Sequence, residues 1–259
     1  MKYLLILLFY TVFLNNFACA GEFDHSHASW SAILRSSVAI SGHSSTVDYA
    51  SLKRNPSALN QYLKTLETVS PQEYFEFNSN QKLAFLINSY NAFTIKLILD
   101  HYPLKSIKDI GGIFKSSWKI KFIKLLNEEI SLDEIEHEKI RKNFKESRIH
   151  FALVCASKGC PALLNEAIVA NKLDQQLENA SKNFLLDETR NRFDKDKKTL
   201  ELSSIFKWYG EDFVKYNGSV KNFVAKRIAA DKFQQGLIND SQVKIDFLDY
   251  DWSLNETNH

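Results

Sequence analysis

Apolar residues recur at helical spacing along most of this chain of 259 residues. Between residues 49 and 69 they predict a helical stretch that is interrupted at Asn55-Pro56. Residues 81–103 are the longest strongly apolar stretch after the first twenty residues. We expect them to form a largely buried helix that stops at Pro103.

Two asparagines, Asn88 and Asn91, lie on the apolar stripe of this predicted helix. A buried primary amide that lacks hydrogen-bond partners costs roughly 1 to 3 kcal/mol. We therefore expect both side chains either to bind neighbouring backbone groups or to face a functional site.

A second helix is predicted to start at Ser131, which has the S-x-x-E spacing of a capping box with Glu134. At 100° per residue, Glu136 falls in the middle of the apolar face of this helix, and His137 lies at the edge of that face. A buried carboxylate is seldom left without a partner, because desolvation penalises its charged form. Glu136 is therefore predicted to be paired, for a structural or a catalytic reason.

The stretch RIHFALVCA, residues 148–156, alternates like a β-strand whose two faces are both mostly apolar. It is predicted to be a central strand, followed by a turn at SKGCP. Because His150 and Cys155 are an odd number of residues apart, their side chains would point to opposite faces of that strand.

Shorter patterns complete the prediction of the fold. Residues 199–202 and 243–252 are predicted to be strands, and residues 165–184 and 221–230 are predicted to be helices. Helices thus outnumber strands. This balance predicts an α+β fold, a helix-rich single domain packed around a small central sheet.

The first twenty residues, MKYLLILLFYTVFLNNFACA, combine one lysine, an apolar run and an A-x-A-like site, which predicts a signal peptide cleaved near Ala20. Cys19 raises the alternative of a lipid-modified N-terminus. We therefore expect an exported protein, periplasmic or secreted, with a flexible mature N-terminus at residues 21–46. His25 and His27 in this segment leave metal binding as an alternative.

Charge and hydropathy exclude two classes of partner from the prediction. The net charge is only +2, from 33 basic and 31 acidic residues, so no field over the whole molecule favours nucleic acid. No stretch after the predicted signal peptide is apolar over the roughly 20 residues that a spanning helix needs, so no transmembrane span is expected in the mature chain.

Seven motifs carry a resemblance to a known family. In chain order they are VDYASL, QKLAFLINSYNAFTIKLIL, HYPLKSIKDI, SLDEIEHEKIR, RIHFALVCASKGCPAL, SIFKWYGEDF and YDWSLN. In these motifs residues 47–255 resemble the family called domain of unknown function 547 (DUF547), which occurs in bacteria and, in divergent form, in plants. The family usually has tryptophan where this chain has Leu86, a change between large apolar residues.

The resemblance also bears on the cysteines. Plant members keep a residue like Cys155 but often have serine in place of Cys160. The resemblance therefore implies that Cys155 is not in the family merely to form a disulfide with Cys160. Because the activity of the family is unknown, the resemblance leaves the chemistry open.

Cysteine catalysis needs a thiolate, a nearby base or cation, and a group that orients the base. On this hypothesis Cys155 is the nucleophile, His137 the base and Glu136 or an asparagine the orienting group. The supporting residues are Asn88, Asn91, His150, Trp208 and Tyr250. The protein would be a thiol-dependent hydrolase or acyltransferase acting on an amide or ester bond of an unknown small molecule or peptide. No cofactor is expected, and C-x4-C without a matching second pair does not predict a metal site.

The competing hypothesis is a non-catalytic domain that binds a ligand or a protein. Cys155 would then be structural, either buried or disulfide-bonded to Cys160. Aromatic residues such as Trp208 and Tyr250 would line a pocket for a sugar, peptide or lipid fragment. The surroundings of the Cys155 sulfur distinguish the two hypotheses.

Overall fold

Helices supply most of the regular backbone of the protein, in a computed structural model that describes residues 22–112 and 116–257. The α-helices, in chain order, are α1 (Ala28–Ser37), α2 (Tyr49–Arg54), α3 (Ser57–Thr68), α4 (Pro71–Glu76), α5 (Ser79–His101), α6 (Leu173–Leu185), α7 (Ile205–Trp208), α8 (Gly210–Asn217), α9 (Val220–Ile228) and α10 (Lys232–Asn239).

The strands of the described residues form three separate small sheets. They are β1 (Val38–Ser41), β2 (Ser44–Val47), β3 (Ile123–Leu125), β4 (Glu128–Ile130), β5 (Arg192–Asp194), β6 (Thr199–Ser203) and β7 (Lys244–Leu248). Antiparallel pairs join β1 to β2 and β3 to β4, while β6 lies between antiparallel β5 and parallel β7. The predicted helix-rich α+β class is confirmed, with its strands distributed over three sheets.

Helix α5 is buried along almost its whole length. Asn78 and Gln81 cap its start reciprocally, since each side chain accepts a hydrogen bond from the backbone N–H of the other residue. The apolar residues of α5 belong to the larger of two hydrophobic clusters. A second cluster contains five phenylalanines, which are Phe151, Phe184, Phe206, Phe213 and Phe223. This cluster joins the segment after residue 146 to helices α6 to α9.

The capping box at Ser131 is present as predicted: its hydroxyl accepts from the Glu134 N–H, and the Glu134 carboxylate accepts from the Ser131 N–H. The helix that follows, Glu134–Arg141, is a π-helix, whose hydrogen bonds span one residue more than those of the α-helix assumed for the sequence pattern. Glu136 is 5 % exposed on this helix, so the prediction of its burial is confirmed.

The predicted central strand at residues 148–156 is wrong. Residues Ser147–Phe151 form a short 3₁₀ helix, and the chain then turns, with Ala156 at a left-handed φ of 59°. The physical reason lies in α5, where the Asn91 amide donates to the Ala152 carbonyl and accepts from the Val154 N–H. A side chain therefore takes the hydrogen bonds that a neighbouring strand would have supplied.

Two further predictions differ from the structure. The helix predicted over residues 165–184 begins only at Leu173, because the Ile168 N–H donates to the Asn88 side chain and the Val169 N–H donates to Gln176. Residues 22–46, predicted to be flexible, instead form α1 and the β1–β2 hairpin. Trp30 of α1 is 1 % exposed and stacks on Tyr62 at a centroid distance of 5.3 Å, so tertiary packing orders this segment.

The predicted signal peptide, with Cys19 and the cleavage site near Ala20, lies outside the described residues. Within the described ranges, none of the helices has the length and apolar character needed to cross a membrane.

Candidate functional site

A cavity of about 250 Å³ opens between the π-helix, the turn after the 3₁₀ helix, the start of α7 and the C-terminal segment. Six of its lining residues are tyrosine or tryptophan, namely Tyr90, Trp118, Trp208, Tyr209, Tyr250 and Trp252. The other side chains are those of Ser116, Asp133, Glu136, His137, His150, Leu153, Cys155, Cys160, Pro161 and Ile205. Polar and titratable groups thus meet within an apolar enclosure.

The structure brings most of the predicted site residues to this one cavity. Those that line it are Glu136, His137, His150, Cys155, Cys160, Trp208 and Tyr250. The expectation that His150 and Cys155 face opposite sides is wrong, because the strand on which it depended is a 3₁₀ helix and a turn.

Asn88 and Asn91 are not among the residues that line the cavity. Asn88 donates to the Ile168 carbonyl at 2.7 Å and accepts from the Ile168 N–H at 3.0 Å. Asn91 holds Ala152 and Val154 in the same two-sided way, at 2.8 and 2.9 Å. Both amides therefore fasten backbone to α5, and Asn91 does so between His150 and Cys155.

Cys155 and Cys160 are joined by a disulfide that faces the cavity. Cys160 is 5 % exposed, whereas Cys155 is only partly buried. The hydroxyls of Ser157 and Tyr250 each lie 3.2 Å from the Cys155 sulfur. Burial raises the pKa of Tyr250, so its hydroxyl stays protonated and can donate a hydrogen bond to the sulfur.

His150 is held by a carboxylate from α8. Its Nε2 lies 2.8 Å from Oδ2 of Asp212, and its ring stacks on Tyr209 at a centroid distance of 3.9 Å. Arg141 donates to the two oxygens of Asp212 at 2.7 and 3.1 Å. Burial alone would raise the pKa of Asp212, but the hydrogen bonds from His150 and Arg141 hold it well below its usual range.

The other ring nitrogen of His150 faces Glu136. Its Nδ1 lies 4.0 Å from Oε1 of Glu136, which is beyond hydrogen-bond distance. Burial, together with the neighbouring Glu136 carboxylate, raises the pKa of Tyr209. Within the described ranges, Glu136 forms no ion pair with a lysine or arginine. The neighbours of this buried carboxylate are thus the Tyr209 hydroxyl and the His150 ring.

His137 has a different environment from His150. Its Nδ1 lies 2.8 Å from a guanidinium nitrogen of Arg141, and its side chain is 34 % exposed. A guanidinium only donates hydrogen bonds, so Nδ1 of a neutral His137 is the acceptor and Nε2 carries the proton. The lone pair of this imidazole is therefore already engaged by Arg141.

Sequence reasoning missed Asp212, and it did not connect the aromatic residue Tyr209 with the imidazole of His150. Both lie in the motif SIFKWYGEDF, and Asp212 directly precedes the buried Phe213. A carboxylate beside a core residue was the available signal, but no spacing rule connects it to a histidine 62 residues earlier. In the described part of the chain, three or more His, Cys, Asp or Glu side chains nowhere form a group that could hold a metal ion.

Comparison with known proteins supports the family resemblance. The model of the family described as "Protein of unknown function, DUF547" matches residues 75–185. The match includes Glu136, His137, His150 and both cavity cysteines, and Asp212 lies beyond it. No curated protein and no solved structure matches the chain. The resemblance is thus confirmed over residues 75–185, where the chain matches the model of the DUF547 family of proteins of unknown function.

Proposed function

We propose that the protein is a thiol-dependent hydrolase or acyltransferase that acts on an amide or ester bond, with Cys155 as its nucleophile in the reduced protein. The observation that carries this proposal is that Cys155 and a histidine oriented by a carboxylate line one cavity. A nucleophile, a base and a group that orients the base are the elements of covalent acyl transfer.

In this proposal His150, rather than His137, is the general base. The hydrogen bond between Nε2 and Asp212 fixes the tautomer in which Nε2 carries the proton and Nδ1 carries the lone pair. Once His150 takes a proton at Nδ1, the imidazolium lies between Asp212 and Glu136, at 2.8 and 4.0 Å. Two carboxylates then stabilise the charge that develops on the ring.

The reaction begins when His150 takes the proton of the Cys155 thiol. The thiolate attacks the carbonyl carbon of the substrate, the bond to the leaving amine or alcohol breaks, and His150 returns the proton to that leaving group. The resulting thioester is cleaved by water or by an acceptor nucleophile, whose proton passes through His150 back to the sulfur. The hydroxyls of Tyr250 and Ser157 stabilise the thiolate before attack and after release.

The disulfide makes the structure an inactive, oxidised form in this proposal. Two electrons and two protons from a dithiol convert the bond between Cys155 and Cys160 into two thiols, and the dithiol becomes a disulfide. Export through the predicted signal peptide would place the domain in a compartment where oxidised cysteines persist. The enzyme would then be active only where a dithiol reductant reaches it.

The proposal is tested by alkylating the reduced full-length protein with iodoacetamide across pH and following Cys155 by peptide mass spectrometry. We expect Cys155 to titrate below pH 7, and His150→Gln to move that titration towards the value of about 8.5 of a free thiol. His101→Gln is the matched control, because His101 is an exposed residue at the end of α5. A Cys155 that titrates near 8.5 in the unmutated protein would overturn the proposal.

The disulfide and the aromatic walls favour a second candidate function, a non-catalytic ligand-binding domain. In that case the disulfide only fixes the wall of the cavity. Cys155 would remain unreactive after reduction, while ligand binding would be unchanged by Cys155→Ser together with Cys160→Ser.

A further inference from the structure

The cavity has an uneven balance of charge. Among the described lining residues, Asp133 and Glu136 are acidic, and none is a lysine or arginine. Arg141, which contacts the lining residue His137, is already bound to both oxygens of Asp212. Two carboxylates therefore line the cavity, and the basic side chains that line it with them are the imidazoles of His137 and His150.

Glu136 is the more informative of the two carboxylates. Only 7 % of its side chain is exposed, and its neighbours are the Tyr209 hydroxyl and, at 4.0 Å, the His150 ring. An ionised carboxylate has acceptor positions for about four hydrogen bonds, and Glu136 lines the cavity with such positions to offer. A buried anion of this kind is stabilised when a cationic donor approaches it in the same low-dielectric space.

The aromatic walls point to the same chemistry independently of the carboxylates. The rings of Trp208, Tyr250 and Trp252 lie with their centroids 4.6 to 5.5 Å apart. The faces of such rings carry negative potential and attract an ammonium group within about 6 Å. Trp252 already has a cation over its ring, since Nζ of Lys108 lies 4.2 Å from its centroid.

We propose that the cavity binds the alkylammonium group of its substrate, as in a lysine side chain, with the ammonium donating to Glu136 and the alkyl stem against the aromatic walls. A volume of about 250 Å³ fits one side chain better than a whole drug-sized ligand, for which about 300 to 1,000 Å³ is usual. The identification of this ligand as a substrate rests on the proposed function. The binding itself does not require a free Cys155.

The test uses the oxidised full-length protein, which cannot turn a substrate over, and measures binding by calorimetry. The probes are N-acetyl-lysinamide and the matched amides of norleucine, which lacks the ammonium, and of glutamate. We expect the lysine amide to bind at least tenfold more tightly than either of the other two. We also expect Glu136→Gln to weaken its binding at least tenfold, because the partner anion is lost.

Glu138→Gln is the matched control on the same π-helix, since Glu138 is exposed and pairs with Lys142. Equal or tighter binding of norleucine amide, an unchanged affinity in Glu136→Gln, or no binding of any probe would overturn the inference. The ligand series in the unmutated protein decides the question even if Glu136→Gln fails to fold. Because thiol titration plays no part in this measurement, its outcome is separate from that of the proposed catalytic role of Cys155.

Discussion

Nε2 of His150 lies 2.8 Å from Oδ2 of Asp212, although 62 residues separate the two in the chain. Helix α8 brings the carboxylate to the histidine, and Arg141 of the π-helix holds the carboxylate from its other side. The three residues therefore form one electrostatic unit that joins three segments of the fold. The hydrogen bond to Asp212 within this unit determines which ring nitrogen of His150 is available to the cavity.

Asp212→Asn is expected to impair both the proposed base and the fold. The amide cannot neutralise Arg141, so we expect the free energy of unfolding to fall by about 1 to 3 kcal/mol at pH 7, measured by urea denaturation. Alkylation of reduced Cys155 at pH 7 should slow as well. The neighbouring exposed Glu211 provides the control, Glu211→Gln, which should change neither quantity.

The loss of stability caused by Asp212→Asn should depend on pH. Because the pKa of Asp212 is lowered in the folded protein, its ionised form stabilises the fold at any pH above its unfolded value of about 3.9. That contribution is lost as the pH falls below this value. The stability difference between the unmutated protein and Asp212→Asn should therefore shrink below pH 4, and a difference that grows on acidification would contradict the assignment.

Asn91→Ala measures how much the hydrogen bonds of Asn91 contribute to stability near the site. The substitution leaves the Ala152 carbonyl and the Val154 N–H without their partner, at a cost of roughly 2 kcal/mol or more. We expect a lower urea midpoint and faster hydrogen exchange between residues 152 and 156. Asn80→Ala, at an exposed position of α5, should cost less than 1 kcal/mol; similar losses in both variants would show that the Asn91 contacts contribute little.

Gly159→Ala should displace the part of the cavity wall that Tyr250 forms. A Cβ at this position would lie 2.9 Å from the Tyr250 ring and 3.0 Å from the Asp251 carbonyl oxygen, so the backbone or the ring must move. We expect a loss of about 1 to 3 kcal/mol and a changed tryptophan fluorescence, since Tyr250 contacts Trp208 and Trp252.

Gly236→Ala is the control for that substitution. Gly236 lies in α10, and a Cβ there meets nothing within 4 Å, so alanine should raise stability by up to about 1 kcal/mol. If both glycine variants changed stability in the same direction, the close approach at Gly159 would not be the cause.

His27 is expected to make the fold sensitive to mild acid. Burial lowers the pKa of His27 to about 4, and its Nδ1 lies 2.8 Å from the Tyr62 hydroxyl. Since the unfolded chain protonates this residue near pH 6.5 and the folded chain does not, stability is full above that pH and falls between 6.5 and 4. The loss from pH 7 to pH 5 should be about 2 kcal/mol by linkage.

His27→Gln keeps a hydrogen-bond acceptor for Tyr62 and removes the titration. The part of the pH dependence that is due to His27 should disappear in this variant, as followed by urea denaturation at pH 7 and pH 5. An unchanged slope of stability against pH would show that His27 is protonated equally in both states.

Local sequence signals predicted the elements whose partners are close in the chain. The buried helix α5 and the capping box at Ser131 follow from periodicity and short-range hydrogen bonds, and both are present. The burial of Glu136 followed from the same periodicity, although the helix is a π-helix.

Long-range contacts produced what the sequence did not predict. The segment at residues 148–156 has the apolar alternation of a strand, but Asn91, more than sixty residues earlier, takes its hydrogen bonds and keeps it from pairing. Packing of Trp30 on Tyr62 orders an N-terminal segment whose local composition indicates flexibility. Neither contact can be predicted from a short window of sequence, because its partners lie far apart in the chain.

The two hydrogen bonds of the Asn91 side chain to Ala152 and Val154 also restrict how the site can move. Two backbone groups between His150 and Cys155 are fastened to a helix that is buried along almost its whole length. The spacing between the proposed base and nucleophile is therefore set by the interior of the protein. The turn that carries Cys155 cannot move away from α5 without exposing buried amides, so the geometry of the cavity should persist for as long as the core itself remains closed.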